Sequence, residues 1–118
     1  MVQAYVEKLT ELMKQAASEK HRDVRLEIKH FFSGAAVYAN GAICLTLTPA
    51  GLALKLPERR RTTLLQKHGA TGLRYFPKAP LKKEYVVLPA NIMQDQDALR
   101  RWVGESIDYA VASQEKRG

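Results

Sequence analysis

The chain has 118 residues, of which 46% are hydrophobic and 26% are charged, and its formal net charge is +7 at pH 7. This length suits one hydrophobic core, and the composition excludes the apolar-poor, charge-rich class of disordered chains. The single cysteine, Cys44, excludes an intrachain disulfide and a zinc site of four thiolates, so we predict one domain over residues 1–118 in a reducing cytoplasm.

The N-terminal segment has the periodicity of an amphipathic helix. Apolar residues recur at helical spacing over residues 2–16, with charged residues on the opposite side. These early charges leave no apolar stretch long enough for a secretory signal peptide. Apolar and charged residues then alternate from Val24 to Lys29, which predicts a strand with one covered face and one face in water.

The stretch 31–54 contains no charged side chain and is long enough to cross a bilayer as a helix. Its interior favours strands, because Asn40-Gly41 is a hairpin signal, residues 49–51 (Pro-Ala-Gly) form a second break and apolar residues alternate between them. We therefore expect no membrane partner and predict a buried antiparallel meander. Its strands are residues 35–39, 42–48 and 52–56.

A second helix is predicted after the meander. Pro57 and Glu58 suit its first turn, because proline there loses no hydrogen bond and an acid favours the positive end of the helix dipole. Gly69 is its stop signal, and residues 69–72 are interpreted as a turn.

Two strands and a long helix complete the chain. The strands are residues 73–76 and 84–88, separated by a loop at 77–80 whose two prolines cannot occupy a central strand. Asp95 or Asp97 caps the final helix. The order α-β-β-β-β-α-β-β-α predicts an α+β fold of two layers, a mainly antiparallel sheet with flanking helices, and disfavours a parallel nucleotide-binding fold.

The positive charge is concentrated in the middle of the chain. Residues 55–83 contain nine basic side chains and one acid, Glu58, whereas the remainder is close to neutral. A clustered positive surface attracts polyanions, so nucleic acid or an acidic protein surface is the partner that this charge favours. The candidate contact residues are Arg59, Arg60, Arg61, Lys67, Lys78, Lys82 and Lys83.

The simpler interpretation of this charge, and the preferred one, is a solvated helix surface whose buried side is formed by Leu64 and Leu65. Aromatic partners for bases are few, since Tyr75 and Phe76 are the only aromatic residues of the segment. The strand pattern predicts that at least one of these two rings is buried, which leaves little platform for single-stranded bases.

No catalytic, metal or cofactor site is predicted. His21, His30 and His68 lack metal-ligand spacing, and Cys44 lies among apolar neighbours, where a buried inert thiol is the expected state. The nucleophile-elbow, P-loop and dinucleotide-binding glycine motifs are absent. The aromatic residues assigned to the core are Phe31, Phe32 and Trp102.

Residues 29–41 (KHFFSGAAVYANG) resemble the signature of the TfoX/Sxy N-terminal domain family, which runs roughly R-K-M-F-G-G-Y-G-x-Y-x-D-G. At four positions of this signature the chain has Phe, Ser, Ala and Ala, where the family usually has Met, Gly, Tyr and Gly. Weaker matches follow in the family's order at residues 52–55, 61–69, 75, 86–89 and 99–103, so the resemblance covers about residues 5–112. The matching motif residues are Phe32, Gly34, Tyr38 and Gly41.

The resemblance implies a two-layer fold similar to type III secretion chaperones, with a curved antiparallel sheet and no catalytic residues. It also implies a regulatory role, since full-length members of the family are positive regulators of competence genes, act with the cyclic-AMP receptor protein and carry a second, helical domain. Because the sequence ends at Gly118, we expect this chain to lack that second domain. We therefore predict a non-enzymatic regulatory module that binds a protein, either a regulator or a second copy as a homodimer. The alternative is direct, salt-dependent nucleic-acid binding through residues 55–83.

Overall fold

The computed structural model describes residues 2–16 and 19–117, which form a six-stranded antiparallel sheet with helices packed against it. The elements are α1 (Val2–Ala16), a 3-10 turn (Glu19–His21), β1 (Leu26–Phe31), β2 (Gly34–Ala39), β3 (Ala42–Thr48), β4 (Gly51–Lys55), α2 (Glu58–Lys67), β5 (Thr71–Leu73), β6 (Lys82–Val87), α3 (Ala90–Met93) and α4 (Gln96–Arg117). The strand order across the sheet is β1-β2-β3-β4-β6-β5. The predicted α+β fold is confirmed, with the short helix α3 added before the last helix.

The predicted Asn-Gly hairpin joins β2 to β3. Asn40 and Gly41 have φ of +51° and +87°, the left-handed values that a two-residue hairpin turn requires and that these two residue types tolerate. Asn40 also exchanges two hydrogen bonds of 2.8 Å with the backbone of Arg25, which fixes the start of β1 beside the turn. The turn therefore fixes β1, β2 and β3 relative to one another.

The first hairpin, between β1 and β2, contains Gly34, where the backbone of β2 closely approaches that of β3. A β-carbon at this position would overlap the carbonyl oxygen of Leu47 in β3, so only glycine permits the two strands to approach this closely. Its turn places Phe32 at φ +48° with 78% of the residue exposed. The prediction that Phe32 is a core residue was wrong, because a side chain at the tip of a tight hairpin projects beyond the sheet.

The helices cover one face of the sheet, which we call the helix-side face. One row of cross-strand partners on this face runs through Ile28, Val37, Leu45, Leu54 and Val86. Helices α1 and α4 pack against these strands and contribute large apolar side chains to the same core. The core residues from the two helices include Leu9, Met13, Trp102, Val103 and Ile107, so the core position predicted for Trp102 is confirmed.

The opposite face, which we call the loop-side face, carries a different row. Its cross-strand partners are Lys29, Ala36, Thr46, Ala53 and Val87. The three central residues of this row are fully buried. The segment between β5 and β6, residues 74–81, reaches this face, where Tyr75 interacts with the side chain of Thr46.

Three predictions for the second half of the chain were wrong. The fifth strand is residues 71–73 rather than 73–76, so part of the predicted 69–72 turn is strand and residues 74–76 belong to the loop. The prediction that at least one of the Tyr75 and Phe76 rings is buried was wrong, because Tyr75 is only half-buried and Phe76 is 62% exposed. Leu65 is also exposed, and Leu64 alone forms the buried side of α2.

The helix ends follow the predicted signals. Gly69, at φ +77°, ends α2, and the amide of Ala70 then returns to the carbonyl oxygen of Leu64 at 3.1 Å. Of the two candidate caps of the last helix, Asp95 performs this role, because its carboxylate accepts a hydrogen bond from the amide of Ala98 at 3.1 Å. Within the described ranges, no helix has the length and apolarity that crossing a membrane requires.

Candidate binding surfaces around strand β6

The three consecutive arginines of α2 point in different directions, because each residue of a helix is turned by about 100° from the last. Arg60 faces α4, where its Nε and Nη2 donate to the two carboxylate oxygens of Glu105 at 2.7 and 2.9 Å. Its guanidinium also lies 4.4 Å from the ring centroid of Trp102. The hydrogen bond to Glu105 raises the pKa of Arg60, and the pair joins α2 to α4 with its charges balanced.

The two neighbouring arginines separate to opposite sides of α2. Arg59 is exposed and lines a shallow cavity with Glu105 and Asp108 of α4, so acidic groups also face it. Arg61 instead turns toward β6 and lines a cleft with Lys82 and Lys83. The structure thus divides the predicted arginine triplet and brings only one of its members to the lysines of β6.

This α2–β6 cleft, of about 320 Å³, has an apolar wall and a basic rim. Leu65 and Leu81 line it and are 44% and 48% exposed, while Arg61 lies on the α2 side. The Nε atom of Arg61 is buried and has no hydrogen-bond partner among the described residues. The full lining is Glu58, Arg61, Thr62, Leu65, Gly72, Leu81, Lys82, Lys83, Tyr85 and Val86.

The remaining basic side chains of residues 55–83 lie elsewhere. Lys67 is exposed at the end of α2, and Lys78 is exposed on the β5–β6 loop. Lys55 is 4.0 Å from the carboxylate of Glu84. Arg74 donates from Nη1 to the carbonyl oxygen of Ala79 at 2.7 Å and so supports the loop.

Beside the cleft, three rings from two distant segments meet in an aromatic cluster of Phe31, Phe32 and Tyr75. Their ring centroids are separated by 4.6 Å (Phe31–Phe32), 6.0 Å (Phe31–Tyr75) and 5.7 Å (Phe32–Tyr75). Lys82 Nζ lies 5.8 Å from the Tyr75 centroid, which links the cluster to the basic rim of the cleft. Burial raises the pKa of Tyr75 above its ordinary value.

Sequence reasoning missed this cluster. The only local signal was the Phe31-Phe32 pair itself, because no periodicity shows that a loop more than forty residues later lies against a hairpin tip. We predicted few aromatic partners for bases because only two aromatic residues lie between residues 55 and 83. In the fold, Phe31 and Phe32 also lie beside Tyr75.

The groups considered for catalysis lie apart from both surfaces. His21 is buried and its Nε2 is 2.7 Å from Asp108, His68 packs edge-on against Trp102, and His30 is exposed on β1. In the described part of the chain, no group of three or more His, Cys, Asp or Glu residues is arranged to hold a metal ion. Burial raises the pKa of Cys44 to about 12, in agreement with the predicted buried thiol.

Comparison with known proteins gives one match. The sequence profile of the TfoX N-terminal domain matches residues 23–110, which is well over half of the chain. The matched range contains the hairpin motif, the α2–β6 cleft and the aromatic cluster. Neither the search of curated proteins nor the search of solved structures gave a match.

Proposed function

The chain belongs to the TfoX N-terminal domain family, and from this premise we propose that it is a non-enzymatic regulatory module that acts in the cytoplasm by binding a protein partner. The family consists of regulatory domains, and the described surfaces offer a cleft for contact rather than converging catalytic groups. Within the family, the competence regulators provide the nearest functional analogy.

The observation that carries this proposal is the lining of the α2–β6 cleft. Leu65 and Leu81 present apolar surface that the fold leaves uncovered, and Arg61, Lys82 and Lys83 surround it with positive charge. Protein interfaces combine an apolar centre with a polar rim, and complementary charge speeds association and selects the partner. The partner that fits is an acidic protein segment that carries one or two apolar side chains.

A second copy of the chain is the less favoured occupant. The cleft is basic, and the chain as a whole carries a net charge of +7, so two copies would repel each other at long range. The homodimer predicted from the sequence therefore becomes an outcome to be checked by sedimentation rather than part of the proposal.

Site-specific crosslinking tests the proposed surface. A photoreactive phenylalanine at Leu65, inside the cleft, should capture a specific acidic protein from the native host, whereas the same group at Arg59, on the other side of α2, should not. Capture should be lost in a Lys82→Glu/Lys83→Glu double variant, and deletion of the gene should alter specific transcripts. Equal capture from both positions, or no capture together with an unchanged transcriptome, would contradict the proposal.

Direct nucleic-acid binding is a second candidate function, and a specific observation favours it. Among the described residues, six of the seven predicted contact residues make no ion pair, and Arg60 alone is neutralised by an acid. Cations that are not held in an ion pair can bind phosphates and so release counterions. The six are Arg59, Arg61, Lys67, Lys78, Lys82 and Lys83.

The test for this function is the salt dependence of binding to a labelled oligonucleotide. An Arg61→Ala/Lys82→Ala/Lys83→Ala variant should lose most of the affinity and flatten the dependence on salt, because three phosphate contacts are removed. Substituting Arg60 is unsuitable here, since its loss would also disturb the contact between α2 and α4. Absence of binding at low salt would eliminate this second function.

A further inference from the structure

Phe32 is exposed at a backbone position that does not suit it. A two-residue hairpin turn with positive φ favours glycine or asparagine, and a bulky L-residue there costs about 1 kcal/mol. Phe32 nevertheless has φ +48° and is the most exposed large hydrophobic residue among those described. Folding does not account for this ring, since it contributes little to the core.

The neighbours of Phe32 show what it is suited to contact. Phe31 meets it edge to face with an interplanar angle of 71°, and Tyr75 meets it at 51°, so a face of the Phe32 ring stays open to solvent. A flat ligand could stack on that face, as bases do on exposed aromatic side chains.

Positive charge surrounds the rings on the side of the loop. Lys82 lies over Tyr75, and Arg74 and Lys78 are exposed on the segment that carries Tyr75. On β1, the strand that ends at Phe31, Lys29 Nζ lies 5.2 Å from the ring centroid of Tyr38. The single acid nearby on this face of β1, Glu27, is 3.6 Å from the guanidinium of Arg25.

We propose that the aromatic cluster and its surrounding lysines bind single-stranded nucleic acid, with a base stacked on Phe32 and the adjacent phosphates held by Lys82 and Lys78. This inference deepens the second candidate function by naming the class of nucleic acid, and it therefore rests on that function. A duplex is disfavoured as the ligand, because its bases are stacked on one another and present no face to a protein ring. A protein ligand is disfavoured because the open ring faces lie among several cations, the combination found where proteins stack the bases of a single strand.

Fluorescence anisotropy with a labelled oligothymidylate of about 15 nucleotides, against a duplex of equal length, tests the proposal. Wild-type protein should bind the single strand about tenfold or more tightly than the duplex. Phe32→Asn, which removes the ring but suits the left-handed turn, should weaken single-strand binding by about tenfold and leave duplex binding unchanged. Circular dichroism should show that this variant is folded.

Two lysines that lie over tyrosine rings provide a matched control. Lys82→Ala should weaken single-strand binding several-fold, whereas Lys8→Ala should leave it unchanged, although Lys8 Nζ lies over Tyr5 at a similar distance, 5.5 Å against 5.8 Å. A Phe32→Trp variant supplies a positive signal, since a stacked base should quench the added indole fluorescence.

The outcomes separate this inference from the function on which it rests. If neither oligonucleotide binds at low salt, the second candidate function fails and the inference fails with it. If single strand and duplex bind equally and Phe32→Asn changes neither affinity, nucleic-acid binding survives and the stacking site is wrong. If Phe32→Trp fluorescence responds to a protein partner and not to the oligothymidylate, the cluster is a protein contact, which also overturns the inference.

Discussion

The two faces of the sheet use the same strands for different purposes. On the helix-side face, the row that contains Val37, Leu45 and Leu54 meets two helices and is closed by aliphatic packing. On the loop-side face, the next row contains Ala36 and Thr46, and the ring that reaches Thr46 comes from a loop, not from a helix. One face therefore has large side chains matched to helices, and the other has small side chains with aromatic and basic groups around them.

This difference indicates where the chain holds its stability and where it can hold a function. Large apolar residues packed between regular elements contribute most of the free energy of folding. A loop that carries exposed rings and cations adds less to that energy and presents groups that recognise ligands. Substitutions on the two faces should therefore separate stability from binding, and four measurements examine that separation.

The largest effect is expected for Leu54→Ala on the helix-side face. Leu54 is fully buried in the core cluster, so its truncation should lower the free energy of unfolding by about 3 kcal/mol through lost burial and a residual cavity. Its chain neighbour on the other face, Lys55, provides the control, and Lys55→Ala should cost less than about 1 kcal/mol because the Glu84 pair is partly solvated. Urea titration measures both values, and equal losses would contradict the division into two faces.

The next effect is a loss of stability in alkali. Folding raises the pKa of Cys44 from 9.0 to about 12, chiefly by burial, and burial also raises the pKa of Tyr75 and Tyr85. Because the unfolded chain ionises first, stability is complete below about pH 9 and should fall as the pH rises, by on the order of 1 kcal/mol at about pH 10. Urea titrations at the two pH values measure the loss, and Cys44→Ala should reduce it. A stability that stays constant to about pH 11 would contradict the expectation.

An effect of similar size is expected at the contact between α2 and α4. Arg60→Ala removes the bidentate pair with Glu105 and the contact with Trp102, and should lower the free energy of unfolding by about 1 kcal/mol, since both charged groups are partly exposed. Arg59→Ala, one residue earlier, should have almost no effect. Thermal melts of the two variants provide the comparison. A larger loss of stability in Arg59→Ala than in Arg60→Ala would contradict the orientation of Arg60 toward α4.

The smallest effect should come from the most exposed ring. Phe32→Asn relieves a strained backbone position but loses contacts with Phe31 and Tyr75, so stability should change by less than about 0.5 kcal/mol. The same variant should nevertheless lose single-strand binding. A thermal melt measures the first quantity, and a fall in stability as large as that of Leu54→Ala would show that Phe32 has a structural role.

Most of the fold could be predicted from local chemistry. The Asn40-Gly41 turn, the alternation on both sides of it and the glycine after α2 are signals that act over a few residues, and each leads to the element observed. β5 was misplaced because it has only three residues and is followed by an irregular loop, so its alternation is too short to define a strand. Helix α3 was missed because its four residues are too few to show a helical periodicity.

The candidate surfaces were harder to predict, because their members are distant in sequence. The basic segment was visible, but the partner of Arg60 lies 45 residues away, and nothing local distinguishes this arginine from Arg59 or Arg61. In the same way, the Phe32–Tyr75 contact depends on the path of the β5–β6 loop. Charge and aromatic content can be counted in a sequence, whereas their juxtaposition requires the fold.

The buried cysteine makes it possible to measure how often the sheet opens. Cys44 Sγ lies 3.4 Å from the carbonyl oxygen of Val37, at the irregularity between β2 and β3, and the residue has no exposed surface. A thiol reagent can attack it only after these strands separate, because attack requires both access and a thiolate. Since it is the chain's single thiol, the rate at which a colorimetric disulfide reagent consumes it under native conditions reports how often the centre of the sheet opens.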